Sequence, residues 1–332
     1  MKKSILIVMI SLLTLIMFGC STDASNDGTS DQSGEGGFTP EGPIRYIVGF
    51  APGGGTDLAA RSVAKTLNDT NIVEQPFAVE NLTGGGGVRA LMELQNKGDA
   101  NTLLQSVDIY PAMYIPGSKV SLDQYIPVAQ VANNTLLLVV SGNSEYQSVD
   151  ELFNAIKEDP NSISIGLPSA ANTVEVVKWN EIAKSYGIDS KLKFVHHNGI
   201  SEVLPELLGG RIDAALLVPP VAKGYLDTNE LTALASMSDE RLEVLPDIPT
   251  LKEQEIDVTF YRPQGIFLKA GVGEEVVSYW EGVLKEMTQT ESWKSFTKKQ
   301  MYMNEFKGTE EYTKWMKMEG GKYGEFLKTL KK

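Results

Sequence analysis

Gly53, Gly54 and Gly55 stand in a row before Thr56 and Asp57, directly after the apolar run RYIVGF. A glycine run lets several backbone N–H groups converge without side chains in the way, and a helix behind it adds a positive end. The chemistry available to such a turn is capture of an anion by amides; the alternative is a close-packing turn. LTGGGG at 82–87 offers a second turn of the same kind. One turn contributes about 0.3–1 kcal/mol per anion from the dipole. Several converging turns in a closed cleft can reach micromolar affinity, roughly −8 kcal/mol.

The spacing excludes two nucleotide readings. A phosphate loop closes with Gly-Lys-Ser/Thr, and here no lysine comes before Lys65. The dinucleotide pattern G-x-G-x-x-G fails as well, ending on Leu58 when started at Gly53 and on Arg89 when started at Gly84. Thr56 can cap the following helix or donate to a ligand. Asp57 can satisfy first-turn N–H groups, or accept from a ligand or a bridging water. Both readings stay open for each residue. His196 and His197 are the only histidines, with no carboxylate motif beside them, so neither a metal site nor a catalytic pair is expected. A secreted esterase or transferase is the enzymatic alternative, but the chain carries no G-x-S-x-G elbow and no cysteine besides Cys20.

The turns need elements to hold them. RYIVGF precedes Ala60, Val63, Ala64 and Leu67 at helical spacing, and FAVEN precedes Val88, Leu91 and Met92. SISIG precedes Trp179, Ile182, Ala183 and Tyr186. KFVHH precedes Ile200, Val203, Leu204, Leu207 and Leu208, a helix stopped by Gly209-Gly210 before the buried strand IDAALLV. Strands alternating with helices predict parallel α/β sheets, whose ligands sit at the carboxyl ends of strands. The stripes of Val276, Trp280, Val283, Leu284 and Met287, and of Tyr312, Trp315 and Met316, predict helices packed on a domain. Chain crossovers are expected near 136–146 and 232–242.

The chain of 332 residues is 42 % apolar, enough for two modest cores. Its formal charge is −13, or −15 without Lys2 and Lys3, a field that repels nucleic acid. An anion site must therefore be built locally. At the start, Lys2-Lys3, an apolar run from Ile5 to Phe18 and Gly19-Cys20 resemble a lipoprotein signal, with Cys20 lipidated. The run is short of the roughly 20 residues a membrane span needs. Residues 21–41, rich in Ser, Asp and Gly, read as a flexible linker.

In order, FAPGGGTDLAAR, VENLTGGGGVRAL, IGLPSAANTVEVV, FVHHNGISEVLPELLGGRIDAAL and LPDIPTLKEQ resemble the extracytoplasmic binding proteins of tripartite tricarboxylate transporters, the Bug family, over about residues 43–330. The resemblance implies a two-lobed α/β fold of the type II periplasmic-binding-protein kind, each lobe a mainly parallel sheet flanked by helices, with a ligand cleft between. Lobe 1 is expected from 42–140 plus 235–332 and lobe 2 from 141–234, after a signal at 1–20. It implies that Phe50, Gly54, Gly55, Thr56, Asp57, Asn81, Gly86 and Gly87 hold one ligand carboxylate, and that Ser169, Asn172 and Thr173 face it from lobe 2. The chain departs from the family in having Ala170 and Ala171 where glycines are usual, and His196-His197-Asn198-Gly199 where a Tyr-Lys-Gly-like stretch is usual. His197, Asn198 and Asp108 are expected at the distal end of the ligand. The implied role is a lipid-anchored, monomeric, cofactor-free binder outside the cytoplasm, not an enzyme. It would deliver a small organic acid (di- or tricarboxylate, aromatic acid or amino acid) to large and small integral membrane subunits. A sensor docking on a signalling receptor is the alternative.

Overall fold

The computed structural model describes residues 37–329 apart from 108, 115–116, 169–173, 190–191 and 198–199. Asp108, Ser169, Asn172, Thr173, Asn198 and Cys20 thus lie outside the described residues, as does the leader.

The first half of the chain builds most of one sheet. β1 (Ile44–Val48), α1 (Gly55–Asp69), β2 (Phe77–Asn81), α2 (Val88–Lys97), β3 (Thr102–Ser106), the short α3 (Tyr110–Tyr114) and β4 (Tyr125–Asn134) follow one another. β5 (Leu137–Ser141), α4 (Val149–Glu158), β6 (Ser164–Leu167), α5 (Val174–Ser185), β7 (Lys193–His196), α6 (Ile200–Leu208), β8 (Ala214–Leu217), α7 (Pro219–Asp227) and β9 (Leu231–Ser236) build the second. β10 (Arg262–Lys269) and the helices α8 (Glu274–Gln289), α9 (Glu291–Lys299) and α10 (Thr309–Thr329) complete the chain.

The strand orders are β2-β1-β3-β10-β4 and β7-β6-β8-β5-β9. In each sheet the three strands on one side are parallel, and the fourth runs antiparallel to both of its neighbours. Four strands of five therefore share a direction. The reversed strand is in each case the one that has just crossed from the other sheet: β5 after β4, β10 after β9. The first crossing takes only Thr135 and Leu136, so Leu137–Ser141 belongs to the second sheet, and so does β9 to Ser236. Hydropathy gave crossovers only as near 136–146 and 232–242, because continuous burial in LLLVV does not reveal which sheet a strand joins. The two crossings are tied where they meet, with the Thr135 hydroxyl donating to the Phe260 carbonyl at 2.9 Å.

Burial explains why these segments form. The central strands read as apolar runs because helices cover both faces of such sheets. Ala60, Val63, Ala64 and Leu67 of α1 are buried, as the spacing predicts. On α2 the inward side is Ala90, Leu91 and Leu94, while Met92 lies exposed. Gly210, at φ +66°, turns the chain out of α6, a conformation that costs glycine nothing. Trp280 and Trp293 are fully buried and their indole N–H groups donate to Ala100 O and Asn304 Oδ1. Tyr312 and Met316 are buried where α10 packs on α3 and β4, and Trp315 meets Tyr110 edge-on. A single apolar core joins Leu104 and Phe267 of the first sheet to Leu138, Ile165 and Leu216 of the second. No helix among the described residues is long and apolar enough to cross a membrane.

Candidate functional site

β1, β2, β6 and β7 run parallel within their sheets, and the glycine- or serine-rich stretches of the sequence come after them. The two on the first sheet are fully described. α1 begins at Gly55, its N-cap is Gly54, and no side chain caps it. The first N–H groups of an α-helix have no acceptor inside the helix, so this end presents donors outward. α2 also starts without a side-chain cap, on Gly87. Before it, Gly84, Gly85, Gly86 and Gly87 all take positive φ, from +59° to +138°. Only glycine tolerates four such residues in succession.

Thr56 is the second residue of α1, so it is not the cap. Its side chain is nearly buried and its hydroxyl finds no hydrogen-bond partner among the described residues. Asp57 is different. Its carboxylate accepts from Gly53 N at 2.9 Å, from Asn81 Nδ2 at 2.9 Å and from Arg61 Nε at 3.0 Å. Burial by itself would raise the Asp57 carboxyl, and the bonds from Arg61, Gly53 and Asn81 outweigh it, holding it below the ordinary carboxylate range. Asn81 also donates to Phe50 O at 2.9 Å and accepts from Arg61 Nη2 at 3.3 Å. Asp57, Asn81 and Arg61 thus form a clamp that locks the end of β2 to the β1–α1 turn.

The turns also pack on each other. A Cβ on Gly87 would lie 3.2 Å from Ser106 Oγ and 3.9 Å from Phe50, and one on Gly49 would lie 3.3 Å from Gly87 Cα. The structure therefore brings together Phe50, Gly54, Gly55, Thr56, Asp57, Asn81, Gly86 and Gly87. His197 stands elsewhere: its N–H donates to Leu167 O at 2.9 Å, extending the β6 edge of the second sheet. Its Nδ1 is shut off from solvent with no partner among the described residues. Glu206 of α6, held below the usual carboxylate range first by Arg211, also feels the His197 imidazole.

Four residues at this edge escaped the sequence reading. Arg61 follows Asp57 by four positions, the helical spacing for an ion pair, and that signal was available. Ser106 ends β3 beneath both glycine turns, 1 % exposed, its hydroxyl without a partner among the described residues. Tyr302 comes from the segment after α9 and sets its hydroxyl 2.9 Å from where a Cβ on Gly55 would stand. Arg262 opens β10 opposite Asn134, the last residue of β4. Neither of the last two is near the turns in sequence, and no local pattern announces them. Among the described residues no group of His, Cys, Asp and Glu could hold a metal ion.

The edge as built offers amide donors from two helix ends, hydroxyls from Thr56, Ser106 and Tyr302, and arginine charge from Arg61 and Arg262. Such a donor set is chemically suited to an anion.

Known proteins carry the same architecture. A family model described as "Tripartite tricarboxylate transporter family receptor" matches residues 59–331. A Cupriavidus necator protein, described as the UPF0065 protein in the gbd 5' region, is 28 % identical over 274 residues, covering 80 % of this chain and 81 % of its own length. The crystal structure of a TctC solute binding protein from Polaromonas superposes with a TM-score of 0.74 at 22 % identity, over 87 % of this chain and 99 % of that one. MatC from Rhodopseudomonas palustris, solved with bound malate, gives 0.69 at 19 % identity, over 86 % and 99 %. These likenesses establish a two-lobed solute-binding fold.

Proposed function

The chain belongs to the tripartite tricarboxylate transporter receptor family, and from that premise we propose that it captures a small organic acid outside the cytoplasm and delivers it to the large and small membrane subunits of a secondary transporter. One observation carries the reading: two uncapped helix ends, α1 and α2, meet through glycine turns that Asn81, Asp57 and Arg61 clamp together. This end of the cleft takes one carboxylate on the amides of α1, on Thr56 and on the 84–87 turn. Asp57 holds the turn rather than the ligand. The lobes close about the crossings at 135–136 and 237–261, bringing up Ser169, Asn172 and Thr173. Closure excludes water and strengthens every hydrogen bond to the ligand. Malate in MatC is a ligand of the expected size and charge. The protein performs no turnover.

In this reading Cys20 is lipidated and residues 21–41 tether the body to the membrane. Cys20→Ala would then leave the protein in the aqueous phase of a detergent partition, and its continued retention would overturn the anchor.

A thermal-shift screen of mono-, di- and tricarboxylates tests the binding role. A ligand at 100 times its Kd stabilises the folded state by about 2.7 kcal/mol, a shift readily measured. No shift with any acid at millimolar concentration would remove the class.

A further inference from the structure

Arg262 stands at the floor of the cleft, at the carboxyl edge of the first sheet beside the crossing. Its Nη2 reaches Glu175 Oε1 at 2.9 Å, in the first turn of α5, the helix that follows the lobe-2 turn at 168–173. The pair therefore spans the two sheets. Its two partners differ in access. The Arg262 side chain is 25 % exposed and that of Glu175 only 10 %, so the cation faces the open side and the carboxylate sits behind it. The guanidinium carbon also lies 5.6 Å from the centre of the Phe260 ring, a cation–π contact. A guanidinium has five N–H donors in a rigid fork and can serve more than one carboxylate.

Tyr302 connects this floor to the glycine turns. Its hydroxyl stands over Gly55, and in β10 Arg262 lies three residues before Gly265, the strand partner of Ser106 beneath the same turns. The amides of α1, the Tyr302 hydroxyl, Arg262 and the start of α5 are thus gathered at one edge. A short ligand lying along it would have an anionic group on the amides and its far end at the guanidinium.

We propose that Arg262 is the specificity-determining residue of this site, selecting acids with two carboxylates by binding the second, with Glu175 positioning its fork. The inference rests on the first-lobe turns holding the other carboxylate.

Isothermal titration with malate, succinate, glutarate and adipate, each compared with its monomethyl ester, tests it. The wild-type protein is expected to prefer at least one diacid over its ester. Arg262→Gln should lower affinity for that diacid on the order of 10- to 100-fold and leave ester affinity within about threefold. Glu175→Gln keeps the cation and should retain the preference. If Arg262→Gln does not fold, Arg262→Lys decides, because a single ammonium cannot reproduce the fork and the preference must shrink. A folded Arg262→Gln that weakens diacid and ester equally overturns the assignment. So does an Arg262→Lys with unchanged preference. A wild-type protein that binds ester as tightly as diacid overturns this inference alone. One that binds neither these probes nor any other carboxylate overturns the reading of the site beneath it.

Discussion

Thr56 and Asp57 are neighbours in sequence, yet the structure assigns them opposite consequences when they are changed. Asp57 is 1 % exposed and its carboxylate accepts three hydrogen bonds. Bonds to a charged acceptor contribute about 1.5–3 kcal/mol each when shielded, and an exposed ion pair under about 1. Gly53 and Asn81 are the shielded donors, and the half-exposed Arg61 side chain adds little. Asn81 keeps its second bond to Phe50 O, which limits the loss. Asp57→Ala is therefore expected to cost about 2–4 kcal/mol of folding stability and to weaken ligand binding through the disordered turn. Thr56→Val keeps the shape and removes a hydroxyl without a partner among the described residues, so stability should change by under about 0.5 kcal/mol. Its effect should fall on affinity, roughly ten- to hundredfold for one hydrogen bond from a hydroxyl to a charged carboxylate. Urea unfolding without ligand and titration calorimetry with the acid found in the screen separate the two. Equal stability losses, or an Asp57→Ala protein as stable as wild type, would refute the division between a clamp and a contact.

The acid limb of the stability curve should report the same clamp. Because the Asp57 carboxyl lies below its unfolded value in the native protein, its contribution is complete above the unfolded pKa near 4 and fades as pH falls through the native value. Asp57→Asn should flatten stability between about pH 4 and pH 2, measured by urea midpoints; an unchanged slope would contradict the assigned bonds. Gly86→Ala and Gly87→Ala both place a side chain at positive φ, +63° and +95°, at a cost of about 1–2 kcal/mol. Only at Gly87 does the new Cβ press on Ser106 Oγ at 3.2 Å, with open space at Gly86. Gly87→Ala should therefore melt lower and bind worse than Gly86→Ala, and matching melting temperatures would sink the packing account.

The alternation of apolar strands, glycine turns and helical stripes was enough to place β1, β2, β6 and β7 with the helices after them, because burial and helical period act within a dozen residues. That α1 starts without a side-chain cap was not legible, since Thr56 could have been its cap and only the structure puts Gly54 there. Which role Asp57 plays was not, since its donors come from Gly53, Arg61 and Asn81, and the last is brought in by parallel pairing of β2 with β1. Nor could local pattern assign Leu137–Ser141 to the second sheet, or reverse β5 and β10 within their sheets. Those choices depend on pairing between strands far apart in the chain, by 74 residues or more for β5 with β8 and by more than 150 for β3 with β10. Ser106, Tyr302 and Arg262 reach the cleft edge only through that pairing and the segment after α9. Short-range periodicity decided which segments are strands and helices. Long-range strand order decided which hydroxyls and charges gather at the carboxyl edge of the first sheet, because a side chain's neighbours across a sheet leave no trace beside it in the chain.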